Sequence, residues 1–100
     1  MPCIPMPDLS DNGFKEFTCE LNGKSYTVTV RWNVYNECAF CQIKYNGEEL
    51  LEDEYPLVCY GVIDIDRRKL PKLIFGRLDR QVLPPTKESF SSYGFFYNVD

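Results

Sequence analysis

The chain has 100 residues and a formal charge of −4, and 44% of its residues are apolar and 15% aromatic. This length allows one domain with one core, while the aromatic content favours sheet over helix. The acidic balance makes nucleic acid and anionic membrane surfaces poor partners, because both would repel the chain. The sequence has no histidine, which removes the commonest general base and the commonest metal ligand.

The first thirteen residues contain three prolines. Proline fixes φ and lacks a backbone donor, so neither a helix nor an interior strand is expected to begin there. We therefore expect an extended N-terminal arm over residues 1–13 and a single β domain over residues 14–100. The arm is either a loosely ordered terminus or a segment laid on a neighbouring subunit, with Ile4 and Met6 as its apolar contacts.

The strongest local pattern lies in residues 14–32, where two alternating runs are joined by Asn22-Gly23. An Asn-Gly pair between such runs predicts a hairpin with a two-residue type I′ turn. In that register Phe17 lies opposite Val28, and the apolar positions of both strands share one face. A slip of one residue would scatter them over both faces, so the turn and the side-chain pattern support each other.

A second Asn-Gly pair, Asn46-Gly47, follows a predicted strand over residues 38–45. The same two-residue turn places Lys44 opposite Glu49, which is a favourable pair of opposite charges. A second hairpin is therefore expected, and its acidic downstream strand is expected to be a short edge strand.

The second half of the chain predicts three more strands, over residues 57–65, 72–79 and 93–99. A polar turn with at most one turn of helix is expected at 66–70, and an irregular connection over 80–92. Residues 57–65 carry apolar side chains on both faces, which indicates a central or covered strand. About six to seven short strands separated by turns predict an all-β fold, a single small antiparallel sandwich or barrel with an extended N-terminal arm.

The five cysteines include Cys38 and Cys41, which match the C-x-x-C pattern. Residues three apart on a strand point to opposite faces, so neither a redox pair nor a zinc site is expected there. We expect five thiols in a reducing cytosol, because the start of the chain lacks the features of a signal peptide. No cofactor, metal site or catalytic residue is predicted, and the longest apolar run is too short to span a membrane.

Arg67, Arg68 and Lys69 form a basic cluster. Such a cluster near aromatic side chains is typical of a small OB-like β-barrel that binds single-stranded nucleic acid, which is the alternative function. A rim of salt bridges to an acidic neighbour explains the cluster equally well. An enzyme is the third hypothesis, although the sequence offers no nucleophile and base pair.

Large aromatic side chains flank the first inter-strand turn and occupy both faces of the last predicted strand. They either form the core or are covered by another chain, because aromatic residues are enriched at the centres of interfaces. The candidate protein-interface residues are Ile4, Met6, Trp32, Tyr35, Arg67, Arg68, Phe95, Phe96 and Tyr97.

The run LNGKSYTVTVRWN over residues 21–33 is the most specific of several features that span nearly the whole chain. The others are Ile4-Pro5-Met6, Phe17 and the segments 40–43, 55–58, 73–75, 84–85 and 94–97. In this order they resemble the small baseplate plug proteins of contractile-tailed bacteriophages.

The resemblance implies a structural virion protein, not an enzyme, that plugs or organises the junction of tube, hub and spike in the tail baseplate. It implies several copies around the tail axis, contacts with tail tube, hub and spike proteins, no cofactor, and no membrane or nucleic-acid partner. It also implies assembly in the host bacterial cytoplasm. Surplus apolar surface suits such a part, because neighbouring chains would cover it.

Overall fold

A computed structural model describes residues 2–51, 55–66 and 68–98. These ranges contain nine strands and one short 3-10 helix, and none of their helices is long and apolar enough to cross a membrane. The elements are β1 (Cys3–Pro5), β2 (Phe14–Leu21), β3 (Lys24–Asn33), β4 (Cys38–Tyr45), β5 (Glu48–Glu49), β6 (Tyr55–Leu57), β7 (Gly61–Ile63), β8 (Leu73–Arg77), a 3-10 helix (Phe90–Ser92) and β9 (Tyr93–Tyr97).

The strands form two antiparallel sheets around one hydrophobic core. Sheet A has the order β1-β9-β8-β7, and sheet B has the order β2-β3-β4 with β5 and β6 both paired to the far side of β4. The predicted all-β class is confirmed, and the arrangement is that of a small antiparallel sandwich. The structure has more strands than the six or seven expected, because proline-rich and turn-rich segments also contribute short strands.

The first hairpin has the predicted register, with Phe17 opposite Val28 and Leu21 opposite Lys24. Asn22 and the glycine after it have φ angles of 51° and 83°. A type I′ turn requires positive φ at both central residues, which asparagine and glycine tolerate best. The hairpin is therefore confirmed in both its turn and its pairing.

The second hairpin is confirmed in the same way. Asn46 and Gly47 have φ angles of 51° and 80°. Lys44 lies opposite Glu49, and the Nζ and Oε1 atoms of this pair are 4.0 Å apart. The downstream strand is short, as expected, and ends after two residues.

The prediction of one strand over residues 57–65 was wrong. β6 belongs to sheet B and β7 to sheet A, so the chain crosses between the sheets at residues 58–60. Tyr60 adopts a left-handed φ of 61°, and the Gly61 N–H donates to the Val58 carbonyl at 2.7 Å, which closes a tight turn. Because of this turn, Val58 is exposed and not covered on a central strand.

The N-terminal segment contributes the edge strand of sheet A. Ile4 lies opposite Phe95 on β9, and the Met6 N–H donates to the Tyr93 carbonyl at 2.9 Å. Leu9 is fully buried. Proline is tolerated in an edge strand, where its missing donor would face away from the ladder, which explains a proline-rich strand at this position.

Aromatic rings of β8, β9 and the 3-10 helix form the centre of the core. The Phe75 ring stacks on Tyr93 with centroids 5.3 Å apart, and it also contacts Phe90 and Phe95. The Tyr93 hydroxyl donates to the Leu83 carbonyl at 2.6 Å. This bond attaches the connection between β8 and the 3-10 helix to the core. As predicted, most of this connection has no regular structure.

Candidate protein-interaction surface

The outer face of sheet A carries an apolar row that crosses all four strands. Val62 on β7 lies opposite Ile74 on β8, Ile74 lies opposite Phe96 on β9, and Phe96 lies opposite Cys3 on β1. Val62 is 47% exposed and the other three side chains are partly exposed. We call these four residues the outer row, and it lies on the side of sheet A that faces away from the core.

Beside the outer row, two glycines face each other on neighbouring strands, Gly76 on β8 and Gly94 on β9. A Cβ atom at Gly76 would lie 2.8 Å from Cε1 of Tyr60, so the tyrosine ring lies over this gap in the face. The result is a cavity of about 360 Å³ lined by Tyr60, Ile74, Arg80 and Phe96. Two aromatic side chains, one aliphatic side chain and one arginine thus surround the cavity. Such a lining is suited to an apolar side chain from another protein.

The outer face of sheet B is different, because most of its side chains are polar. Its central residues are Glu16, Thr18, Glu20, Ser25, Thr27, Thr29, Gln42, Lys44 and Glu49, and their cross-strand pairs are polar or of opposite charge. At one end, Phe14, Phe40 and Pro56 lie in a row with Arg31, whose guanidinium lies 5.9 Å from the centroid of the Phe40 ring. Such a polar face is stable in water, whereas the outer row of sheet A is not expected on a protein that remains alone.

A second apolar surface lies around the turn between β3 and β4. Trp32, Val34 and Pro84 help to line an open groove of about 520 Å³ between this turn and the irregular connection. Tyr35 is 93% exposed at the turn, and the Asn33 side chain holds the turn by accepting the Tyr35 backbone N–H at 2.9 Å. Trp32 and Tyr35, predicted from the sequence, thus lie on or beside this groove.

The predicted interface residues of β1 and β9 are divided between the two faces of sheet A. Phe96 belongs to the outer row, whereas Phe95 is 1% exposed in the core and Tyr97 packs against the core. Met6 is 4% exposed, and Ile4 also packs inward. In the single chain Met6 and Phe95 are therefore core residues, and Phe95 points inward because side chains alternate along β9.

Sequence reasoning missed five members of the outer row and its cavity, Cys3, Tyr60, Val62, Ile74 and Arg80. Val62 was assigned to a strand that was wrongly taken to continue from residue 57. The alternation of β8 would have placed Ile74 on the face opposite Leu73, but only once the sheet was known to have that face uncovered. No local pattern indicated Tyr60, which reaches the site through a left-handed turn.

The predicted basic cluster is neutralised wherever the structure describes it. The Arg68 Nε atom lies 3.2 Å from Oδ1 of Asp66, and the Lys69 Nζ atom lies 2.7 Å from Oε1 of Glu48. The side-chain hydrogen bond from Arg68 lowers the pKa of Asp66, so this carboxylate is charged at neutral pH. Arg67 lies outside the described residues. Arg68 and Lys69, the two described members of the cluster, are thus both paired with carboxylates of the same chain.

All five cysteines are free thiols. Cys38 and Cys41 face opposite sides of β4, where Cys41 is buried and Cys38 is partly exposed. Burial raises the pKa of Cys41 to about 12, which keeps it protonated at neutral pH. Among the described residues, no group of three or more cysteine and carboxylate side chains could hold a metal ion.

The family model described as Cyanophage baseplate Pam3 plug gp18 matches residues 1–100. No curated protein matches the chain. The resemblance to phage baseplate plug proteins inferred from the sequence is thereby confirmed. Because the match covers all 100 residues, the chain belongs to this cyanophage baseplate plug family.

Proposed function

We propose that the protein is a non-catalytic structural part that plugs or organises the central junction of tail tube, hub and spike in the baseplate. The outer row of sheet A, with the adjoining cavity, is the surface it presents to a neighbouring baseplate protein. The observation that carries this proposal is the contrast between the two sheets, one with an apolar outer face and one with a polar outer face.

The physical reason is the cost of leaving the outer row in water. Val62, Ile74 and Phe96 lie directly opposite one another on neighbouring strands, so they form one continuous apolar strip and not scattered single residues. Covering such a strip removes apolar surface from water at about 25 cal/mol per Å². A partner that covers it gains affinity, and the polar face of sheet B then remains directed toward solvent.

The same proposal includes three further points. The protein is present in several copies around the tail axis, it contacts tube, hub and spike proteins, and it assembles in the host cytoplasm. Free thiols suit a reducing compartment. The ion pairs of Arg68 and Lys69 support a protein role over a nucleic-acid role, because these cations are already neutralised. A sequence without histidine supports a role without catalysis.

The test is incorporation of variants into tail particles. Val62→Lys places a charge in the outer row, and the matched control Val34→Lys makes the same change at an exposed valine of the β3–β4 turn. Quantitative mass spectrometry of purified tails, with the tube protein as standard, measures the amount of each. We expect Val62→Lys to lower incorporation by roughly tenfold, a cost of about 1.4 kcal/mol, and Val34→Lys to leave it unchanged.

Two results would contradict the proposal at different levels. Absence of the unaltered chain from purified tails would overturn the structural role. Normal incorporation of Val62→Lys would overturn the assignment of sheet A as the interface, and loss with Val34→Lys would move the interface to the β3–β4 turn. Urea unfolding of the isolated variants controls for folding, since substitutions at exposed positions are expected to stay within about 0.5 kcal/mol.

A further inference from the structure

The long edge of sheet B is open. β2 has eight residues and pairs with β3 along one side, and no other described strand pairs with its second side. An open strand edge presents unpaired N–H and C=O groups that another extended chain can join. This edge lies on the opposite sheet from the outer row, so it is a separate surface.

The hydrogen bonds identify which residues of β2 face the open side. The Trp32 N–H donates to the Gly13 carbonyl at 2.7 Å, so the odd-numbered residues of this segment are the ones that bond to β3. The Glu16, Thr18 and Glu20 backbones therefore point away from β3. These three residues are exposed, and no described residue accepts a hydrogen bond from their backbone N–H groups. The three donors lie in one row that a partner strand can join.

The other strand edges of the described structure are protected. β1 is three residues long and lies in a segment with three prolines, and β7 is also three residues long. β6 contains Pro56, which removes one donor from its edge. On β2 the only inward-facing charge is Lys15 near its start, where it forms an ion pair with Asp11 at 3.8 Å. From Glu16 onward, no proline or inward charge protects β2.

We propose that the β2 edge is the docking site for an extended strand of a neighbouring baseplate protein, with a basic face and an apolar face. This inference rests on the proposed baseplate role. On the outer face, the strand would place two Lys or Arg residues, four positions apart, opposite Glu16 and Glu20. On the inner face, its apolar side chains would cover Phe17 and Cys19, which lie partly exposed at the margin of the core.

A second copy of the chain fits this edge poorly. If two copies paired their β2 strands antiparallel through Glu16, Thr18 and Glu20, the two Thr18 residues would lie opposite each other. Glu16 of each copy would then lie opposite Glu20 of the other. Like charges directly opposite destabilise an antiparallel pair. With a formal charge of −4 on each copy, a basic strand from a different protein is favoured.

Hydrogen exchange resolved to single amides tests the edge directly. In the isolated chain, the amides of Glu16, Thr18 and Glu20 exchange fast, while those of Phe17 and Cys19 are protected by the β3 ladder. In purified tails, the three edge amides are expected to slow by about tenfold or more. If the chain is present in tails but these amides remain fast, the docking strand is refuted while the baseplate role stands. Absence from tails would refute the role and this inference together.

Two variants of Thr18 distinguish the contribution of its backbone N–H group from that of its side chain. Thr18→Pro removes one edge donor, and its N–H takes no part in the β3 ladder, so the fold should persist. Thr18→Ala removes the side chain and keeps the donor. We expect roughly tenfold lower incorporation for Thr18→Pro and normal incorporation for Thr18→Ala. Equal incorporation of both variants would overturn the proposal, and the exchange measurement decides if Thr18→Pro does not fold.

Charge reversal tests the chemistry of the partner. Glu16→Lys with Glu20→Lys is expected to reduce incorporation more than Glu16→Gln with Glu20→Gln, since reversal adds repulsion against a basic strand. Equal effects of both pairs would overturn the basic character of the partner. Sedimentation of the isolated chain supplies the last check. A dimer that is lost in Thr18→Pro would show that a second copy, and not a basic strand, occupies the edge.

Discussion

Cys41 lies on β4 opposite Val30 of β3, with its side chain in the core. Desolvation there raises the pKa of its thiol to about 12, from an ordinary value of 9.0. Cys38 has the same side chain three residues earlier but faces the other side of the sheet. The position on the strand, and not the C-x-x-C spacing, therefore sets the chemistry of each thiol.

The first prediction concerns the effect of alkaline pH on stability. The pKa of Cys41 is higher in the folded state than in the unfolded state, so the protonated thiol stabilises the fold. This contribution is fully present below pH 9 and is lost as the pH rises toward 12. The free energy of unfolding should therefore fall by up to about 1.4 kcal/mol per pH unit in that window from Cys41 alone. Urea unfolding of the unaltered chain and of Cys41→Val, from neutral pH up to about pH 11, measures this slope.

We expect Cys41→Val to fall less steeply with pH than the unaltered chain, because valine has no proton to lose. The substitution conserves an apolar side chain of similar size, so stability at neutral pH should change by less than about 1.5 kcal/mol. Cys38→Val makes the same change on the opposite face of β4 and is the matched control. Parallel pH profiles for Cys41→Val and the unaltered chain would show that Cys41 does not carry the effect.

At the scale of elements, the close contact of β1 with β9 depends on Gly94. A Cβ atom there would lie 2.7 Å from the Ile4 carbonyl oxygen, which is backbone, and 2.5 Å from Sγ of Cys3. At Gly76 the nearest atom is Cε1 of Tyr60, the end of a side chain that can rotate. Both glycines face outward, but only Gly94 is confined by a neighbouring strand.

The second prediction is that Gly94→Ala destabilises the protein more than Gly76→Ala. We expect a loss of about 1–3 kcal/mol for Gly94→Ala, because β1 must shift from β9. Urea unfolding gives the two losses. Hydrogen exchange locates the damage, since the Met6 and Tyr97 amides bond across this pair of strands and should exchange faster in Gly94→Ala. Equal losses with unchanged exchange at both amides would contradict this mechanism.

The elements also show what could be predicted from sequence. Both Asn-Gly hairpins were predictable with their registers, because turn and pairing depend on residues close along the chain. The crossing at residues 58–60 was not predictable. A continuous apolar run has the same pattern whether it forms one long strand or two short strands in different sheets. The outer row was predictable only in part. Phe96 was identified as an aromatic on the second face of its strand, but its neighbours Val62 and Ile74 depend on pairings between distant segments.

At the scale of the whole molecule, the protein is a component of the virion's tail baseplate and interacts with other baseplate components, as its family membership implies. Its two sheets divide the surface into an apolar outer row on one side and a polar face on the other. Net charge opposes contact between copies at low salt, while the outer row favours it. The balance between these two forces should depend on ionic strength.

The third prediction is that the isolated chain associates more strongly as salt increases. Screening shortens the range of repulsion to about 3 Å at 1 M salt, whereas the apolar attraction persists. Sedimentation at low and high salt should show larger species at high salt. Val62→Lys should abolish them, because it interrupts the outer row. Ser25→Lys adds the same charge on the exposed outer face of sheet B and should leave them unchanged.

This pair of variants separates apolar contact from net charge, because both change the formal charge from −4 by the same single unit. If both abolish association equally, charge and not the outer row controls it. If salt dissociates the larger species, ion pairs hold the copies together and the outer row is not the contact. Association that grows with salt and disappears only in Val62→Lys would identify the outer row of sheet A as the contact surface, as the proposed contact with a neighbouring baseplate protein requires.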